Sequence, residues 1–357
     1  MARNITYKYF PAWKVDYYSE LYRSFTVQGA VLTLVNATIL VAICRHEKLR
    51  SRPEMIIVAG LASVDTITGL SALESGLSRL YHLQFGLDYL NTAVSRRHCL
   101  TRLYTWLFFL KPHVNGLMLM IVSIDRLVAV VFPFHYYRRK VKHAVFIVCM
   151  PYLHAILPLM GLLYLNFSST KKRISPLCFT GSTMNGWFYH KYSDPVFSTL
   201  SVILYAVTLI SLWAKKQPTG LTDQSLKEQM KYQRKFTLSL GLTALCTLFF
   251  ETFPRSLLTL EHLKLTQKQA YAKIPGIGTF LAFVRKKQYI VRNLNPLSNI
   301  IIYSMRVKEI RAGIRCLYTC TRLTDAEIKG KNGKRKVRPV RGQKVSKPIT
   351  KSVPNMG

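Results

Sequence analysis

Apolar residues in this chain gather into seven blocks, at 25–44, 55–77, 103–127, 144–165, 195–213, 236–260 and 282–304. About twenty apolar residues is the length an α-helix needs to cross the hydrocarbon core of a bilayer. The pattern predicts an all-α membrane protein, a seven-transmembrane helix bundle. The first, second, fourth, fifth and sixth blocks are clear apolar runs. The third carries Lys111, Pro112 and His113 near its middle, and the seventh holds Arg285, Lys286, Lys287 and Arg292 in its first half. Only 294–303 of that last block reads as comfortable in lipid or in a bundle.

Past Tyr303 the pattern changes. Over 306–323, Ile310, Ile314, Leu317 and Tyr318 fall on one helical face, with Arg311 and Arg315 on another. That is an amphipathic helix lying along the cytoplasmic membrane surface. From Asp325 onward Lys, Arg, Gly and Pro dominate, and no core can form. The expected organisation is an extracellular segment at 1–24, a membrane domain at 25–305, the juxtamembrane helix at 306–323 and a disordered basic cytoplasmic tail at 324–357. Residues 1–24 lack the apolar core of a cleavable signal, so the first span is expected to serve as its own insertion signal.

Charge sharpens this picture. The chain has 51 Lys and Arg against 16 Asp and Glu, a net charge of +35. In a soluble protein that would point to nucleic acid. Here the basic residues lie between apolar blocks, so membrane lipids with anionic head groups are the expected partner and nucleic acid is not. Basic connections follow the first span (Arg45, Lys48, Arg50, Arg52), the third (Arg138, Arg139, Lys140, Lys142) and the fifth (Lys215, Lys216, Lys227, Lys231). The positive-inside rule places these in the cytoplasm, with the N-terminus extracellular and the C-terminus cytoplasmic in a multi-pass protein of the plasma membrane. Two glycosylation sequons agree, at Asn4 and Asn166; a third, at Asn36, lies inside the first span and should be silent. Of seven cysteines, only Cys99 and Cys178 fall in outward segments, where they make one plausible disulfide. Cys316 and Cys320 sit one turn apart on the amphipathic helix, placed for palmitoylation or as ordinary thiols.

The chemistry lies in the polar residues that break the apolar pattern. Asn36 is midway along the first span, Asp65 along the second, Lys111 and Asn115 are in the third, and Asn295, Ser298 and Asn299 are in the seventh. A carboxylate or ammonium in hydrocarbon must pair or neutralise. Each charge costs about 2.5–3.5 kcal/mol at a bilayer centre on insertion scales, so the adjacent Asp125 and Arg126 should sit at the cytoplasmic boundary with a role there. Internal repeats, broken-helix pairs and filter motifs are not evident, which argues against a transporter or channel. Paired catalytic acids, a Ser/His pair and metal-spaced His/Cys sets are also not evident. An enzyme, a cofactor and a metal are therefore not expected.

The residues that carry these features resemble a rhodopsin-like G-protein-coupled receptor. They are Asn36, the stretch Leu61-Ala62-x-x-Asp65, the triplet Asp125-Arg126-Leu127, the pair Phe253-Pro254, and Asn295, Asn299 and Tyr303 followed by Arg306. Among subfamilies, the stretches beginning at Asp125 and Leu294 are most similar to nematode serpentine chemoreceptors of the Srsx kind. The resemblance implies a receptor that binds an extracellular ligand and activates heterotrimeric G proteins. In its resting state Arg126 would pair with Asp125 and with a polar group on the sixth span. Agonist would tilt that span about Pro254, and Tyr205 and Tyr303 would cap the freed arginine.

Several positions depart from the family pattern. Ile300 follows Asn299 where a proline is usual, and a proline stands earlier, at Pro296. Thr252 replaces the tryptophan two residues before Pro254, and Glu251 replaces a small or sulfur residue. Cys99 precedes Arg126 by 27 positions, about two more than usual, an offset that a bulge around Pro112 could absorb. Lys111 falls beside the place where relatives hold sodium, so its ammonium is expected to replace that ion against Asp65. Arg292, with Arg96, Arg97, Arg102 and the run Lys171-Lys172-Arg173, makes the outer vestibule basic, which suits an anionic small molecule or acidic peptide. Glu74 and Glu251 are further pocket candidates. The altered motifs leave a second reading open: a receptor-like protein that traffics or scaffolds without ligand-driven signalling.

Overall fold

The computed structural model describes residues 13–167, 172–179, 187–214, 224–254, 294–302, 307–319 and 321. Among the described residues the longer helices are α1 (Trp13–Arg45), α2 (Pro53–Leu83), α3 (Leu103–Val131), α4 (Val141–Phe167) and α5 (Trp187–Ala214), then α6 (Gln224–Thr247), α7 (294–302) and α8 (Lys308–Tyr318). A π-helical turn, Leu248–Thr252, continues α6. β1 (Val94–Ser95) and β2 (Lys172–Ile174) pair antiparallel at one end of the bundle. The protein is a seven-helix membrane bundle with a short amphipathic helix after the last span. Helices α1 to α5 are each long and apolar enough to cross a membrane. The first half of α6 is too highly charged to add to them, with Lys227, Glu228, Lys231, Arg234 and Lys235 in sequence.

Burial is arranged for a lipid surround. Leu34, Leu157, Ile210 and Trp213 point outward and exposed, whereas Asn36, Asp65, Asn115, Arg126 and Asn299 are buried. Hydrocarbon outside removes any advantage in burying leucine, so packing and polar contacts between helices set the interior. The main core runs through Ile39, Val58, Val114, Met118, Tyr205, Phe236 and Leu240. A second cluster near the β-ribbon joins Tyr22, Phe25, Leu83, Leu90 and Leu177.

Helices α1 and α2 pack most closely, because glycines remove the side chains between them. A Cβ on Gly69 would lie 2.6 Å from the Thr33 nitrogen and one on Gly76 would lie 2.8 Å from the Thr26 nitrogen. A Cβ on Gly29 would run into the Leu73 backbone.

Two helix bounds and one local expectation differ from the sequence reading. Helix α1 starts at Trp13 rather than at 25, because its extra turns bury Tyr22 and Phe25 against Leu83 and Leu177. Helix α3 stays α-helical through Pro112 with no bulge. The long Cys99–Arg126 spacing is taken up instead by a separate short helix, Arg96–Leu100, which carries Cys99. Helix α8 runs only over Lys308–Tyr318. It seats Ile310, Gly313 and Cys316 inward, with the His46 Nε2 to Gly313 carbonyl contact at 3.1 Å, and leaves Tyr318 75% exposed.

Candidate functional site

Arg126, near the C-terminal end of α3, is completely buried, at 0% exposure. Its Nε donates to Asp125 Oδ2 at 3.0 Å, and a second, shorter hydrogen bond joins its Nη2 to the same oxygen. Nη1 donates to Gln233 Oε1 on α6 at 3.0 Å. Nη2 also donates to the Tyr136 hydroxyl at 2.6 Å, and that hydroxyl donates to Asp125 Oδ2 at 3.3 Å. The guanidinium lies over the Tyr136 ring at 5.4 Å and the Phe236 ring at 4.9 Å. Arg139 forms an ion pair with the other Asp125 oxygen.

Asp125 thus accepts from two arginines and a phenol, which offsets the desolvation of Arg126. Breaking such a buried pair from one side costs about 3–5 kcal/mol. Tyr136 sits on a short helix, Pro133–Tyr137, that follows α3. Burial pushes its phenol well above the usual range, so it stays neutral and able to donate. The tie to Gln233 is the polar link from Arg126 to α6 that the sequence reading left unnamed. Gln233, Tyr136 and Phe236 were not singled out from the sequence, and Arg139 was read there only as one of the basic residues that set the orientation.

Tyr205 is buried on α5, and its hydroxyl donates to the Thr237 carbonyl on α6. It braces α5 on α6 in this arrangement. Ser123 and Ser201 bridge α3 and α5 at 2.9 Å. Beside this cluster a cleft of about 290 Å3 opens between α6 and α8, lined by Lys231, Tyr232, Lys235, Phe236 and Lys308 among others.

Farther along the bundle a second polar network draws on four helices, α2, α3, α6 with its π turn, and α7. Glu251, in the π turn, is 2% exposed. Its Oε1 accepts from Asn115 Nδ2 on α3 at 3.1 Å, and its Oε2 accepts from Asn295 Nδ2 on α7 at 3.0 Å. Thr247 Oγ1 donates to Asn295 Oδ1 at 3.1 Å. Asn299 Nδ2 donates to Asp65 Oδ2 on α2 at 3.2 Å. Lys111 is buried on α3, one turn from Asn115. Pro254 is buried at the far edge of the π turn, where it cannot donate to the carbonyl of Phe250. Asn36 and Ser298 turn inward to their own helices, donating to the Leu32 and Asn295 carbonyls at 3.0 and 2.7 Å.

At the β-ribbon end Cys99 and Cys178 are joined in a disulfide. Cys178 has φ +47°, a left-handed conformation unusual for a residue with a side chain. Arg79, only 5% exposed near the end of α2, holds this segment. Its Nε donates to the Leu177 carbonyl at 3.0 Å and its Nη2 to the Cys178 carbonyl at 3.2 Å. The guanidinium lies over Tyr104 at 4.9 Å, Tyr22 at 5.4 Å and Phe179 at 5.6 Å. Sequence reading missed Arg79, although a lone arginine close to the end of an apolar run was the available signal. Glu74 accepts from the Tyr104 backbone nitrogen at 2.8 Å and so caps α3.

These positions bear on several expectations. Glu251, expected in a ligand pocket, lies inside the interior network with both oxygens engaged. Asn166 is 0% exposed within α4, so a glycan there is not accommodated in this conformation. Cys316 is buried and would have to turn out of α8 to be acylated. Asn4, Arg292, Tyr303, Cys320, the run Arg285-Lys286-Lys287 and the tail from 324 lie outside the described residues.

A family model for serpentine type 7TM GPCR chemoreceptors, Srsx, matches residues 30–318. That match covers every helix described above except the first turns of α1. No curated protein matches the chain.

Proposed function

Since this chain belongs to the Srsx family of serpentine seven-helix chemoreceptors, we propose that it binds an extracellular ligand and activates a heterotrimeric G protein through Arg126. The observation that carries this reading is the Arg126 cluster. A fully buried guanidinium ties Asp125 to Gln233 on the neighbouring helix. Two elements joined by one polar contact of this kind form a two-state device, and a ligand that favours the separated state shifts its population. In this reading the Arg126 end is cytoplasmic and the disulfide end is extracellular. Residues 1–24 face outward, the tail from 324 faces inward, and the membrane is the plasma membrane. Release of Arg126 from Gln233 lets α6 swing out and opens the α6–α8 cleft toward the G protein. The ligand enters at the disulfide end, where basic residues favour an anionic small molecule or acidic peptide.

The test is G-protein activation in cells, basal and across a ligand panel, with wild type and Arg126→Ala at matched surface expression. Signal in wild type that disappears in the variant supports the receptor reading. Equal signals above background would place activity outside Arg126. Silence from both across a broad panel would favour a trafficking or scaffolding protein.

A further inference from the structure

The Arg126 cluster ties α6 at one end, but a second tie lies farther along the same helix. Gln233 and Glu251 are 18 residues apart, about 27 Å at 1.5 Å per residue. Any tilt of α6 that frees Gln233 from Arg126 must therefore be permitted at Glu251. The wide turn Leu248–Thr252 brings Glu251 and Thr252 side by side onto the inner face, both buried. π turns of this kind concentrate at functional positions. Thr252 has no ring with which to act as the aromatic residue implied there by resemblance. Glu251 instead presents a carboxylate to two amides on two different helices.

We propose that Glu251 is a positioning residue, a clasp that holds α6 against α3 and α7 in the resting arrangement. Its opening is the step that allows Arg126 to leave Gln233. The inference deepens the receptor reading and rests on it for the meaning of the opened state. Hydrogen bonds to a carboxylate are stronger than neutral ones, and the low dielectric of the interior strengthens them further. The clasp is directional, because each carboxylate oxygen has its own amide donor. Asn295 is in turn fixed by Thr247 on α6, so α6 and α7 are joined twice within one turn. A small rotation of the π turn withdraws Glu251 from Asn115 and Asn295 together. This makes the release a single event rather than a gradual loosening. A ligand that shifts α7 or the outer half of α3 disturbs one of the two amides without touching α6 itself.

The experiment measures the separation of α3 and α6 in the purified full-length protein in lipid nanodiscs, with no G protein present. Spin labels go on exposed positions at the Arg126 end, through His135→Cys and Lys235→Cys, in a background lacking the exposed Cys44 and Cys149. Distances are read by double electron–electron resonance. Wild type should give one predominant short distance. Glu251→Ala should populate a longer one, shifting the ratio of long to short by on the order of tenfold, the factor one charge-assisted hydrogen bond carries. Glu251→Gln keeps one acceptor and should fall between. Asn115→Ala should resemble Glu251→Gln, and combining Asn115→Ala with Glu251→Ala should add little to Glu251→Ala alone.

Glue without a switching role would lower the melting temperature and leave the distances where they are. An unchanged distance distribution in folded Glu251→Ala overturns the proposal. Should that variant not fold, an unchanged distribution in both Glu251→Gln and Asn115→Ala overturns it equally. Because the distances need no signalling partner, a shifted distribution in a protein that never activates G protein would refute the receptor reading and leave the clasp standing.

Discussion

Asp125 serves two arginines at once, and the two are not equivalent. Arg126 is buried and reaches α6, whereas Arg139 is partly exposed and stays beside α3. Removing the α6 partner should free the switch without unbalancing the charge. We expect Gln233→Ala to raise basal G-protein activation by on the order of tenfold or more, since a hydrogen bond to a charged group carries about 1.5–3 kcal/mol. Arg139→Ala should have a smaller effect, because Asp125 keeps Arg126 and Tyr136. Basal activation unchanged in Gln233→Ala would show that this tie does not restrain α6. Lys111 supports a second expectation at this scale. On the reading that the buried Lys111 ammonium replaces sodium beside Asp65, agonist affinity should be indifferent to exchanging sodium for a bulky organic cation at equal ionic strength. Sodium-dependent affinity in wild type that vanishes in Asp65→Asn would contradict it. Asp65, Asn115, Arg126, Asn295 and Asn299 were visible in the sequence because each interrupts an apolar run. Gln233 and Tyr136 were not, since nothing in their sequence surroundings sets them apart, and Arg139 was legible only as a basic residue of a connection. Glu251 was visible as a departure and expected in a ligand pocket, but its place in the interior network was not legible. Its donors lie 136 and 44 positions away, and only folding brings them together.

Helices proved easier to read than their ends. Apolar run length located the first five spans, but Trp13 as the start of α1 depends on contacts with Leu83 and Leu177, which no local pattern encodes. The π turn was equally hidden, because one extra residue in a turn leaves the apolar count unchanged. At the disulfide end, the segment Leu177–Phe179 is held by a covalent bond and by Arg79. The disulfide closes a stretch with a sequence separation of 79. On the chain-entropy model a crosslink of that span is worth about 4–5 kcal/mol. Cys99→Ser should therefore lower the melting temperature markedly, and Arg79→Gln should lower it less. A thermal-shift series on purified protein checks the order. Equal melting temperatures for wild type and Cys99→Ser would mean that the loop is held mainly by Arg79 and its aromatic ring cage.

For the molecule as a whole, the polar ties divide the bundle unevenly. α6 is restrained by discrete contacts through Gln233, Thr237 and Glu251, each of which can be exchanged for another partner. α1 and α2 are joined along a seam where backbone meets backbone at Gly29, Gly69 and Gly76, and there is nothing to exchange. A variant such as Gly69→Val should reduce the amount of receptor at the cell surface while leaving the response per surviving molecule unchanged. Surface labelling and signalling measured on the same cells separate these quantities. A changed response at unchanged abundance would show that the seam moves during activation.

That seam has a consequence for how natural variation in this protein should be read. Changes that map to the glycine line should behave as recessive losses of dosage, since they affect how many copies mature. Changes that map to the contacts of α6 should behave as dominant alterations of tone, since every mature copy would signal at a new set point. The inheritance pattern of an allele would then indicate which half of the bundle it struck before any biochemistry was done.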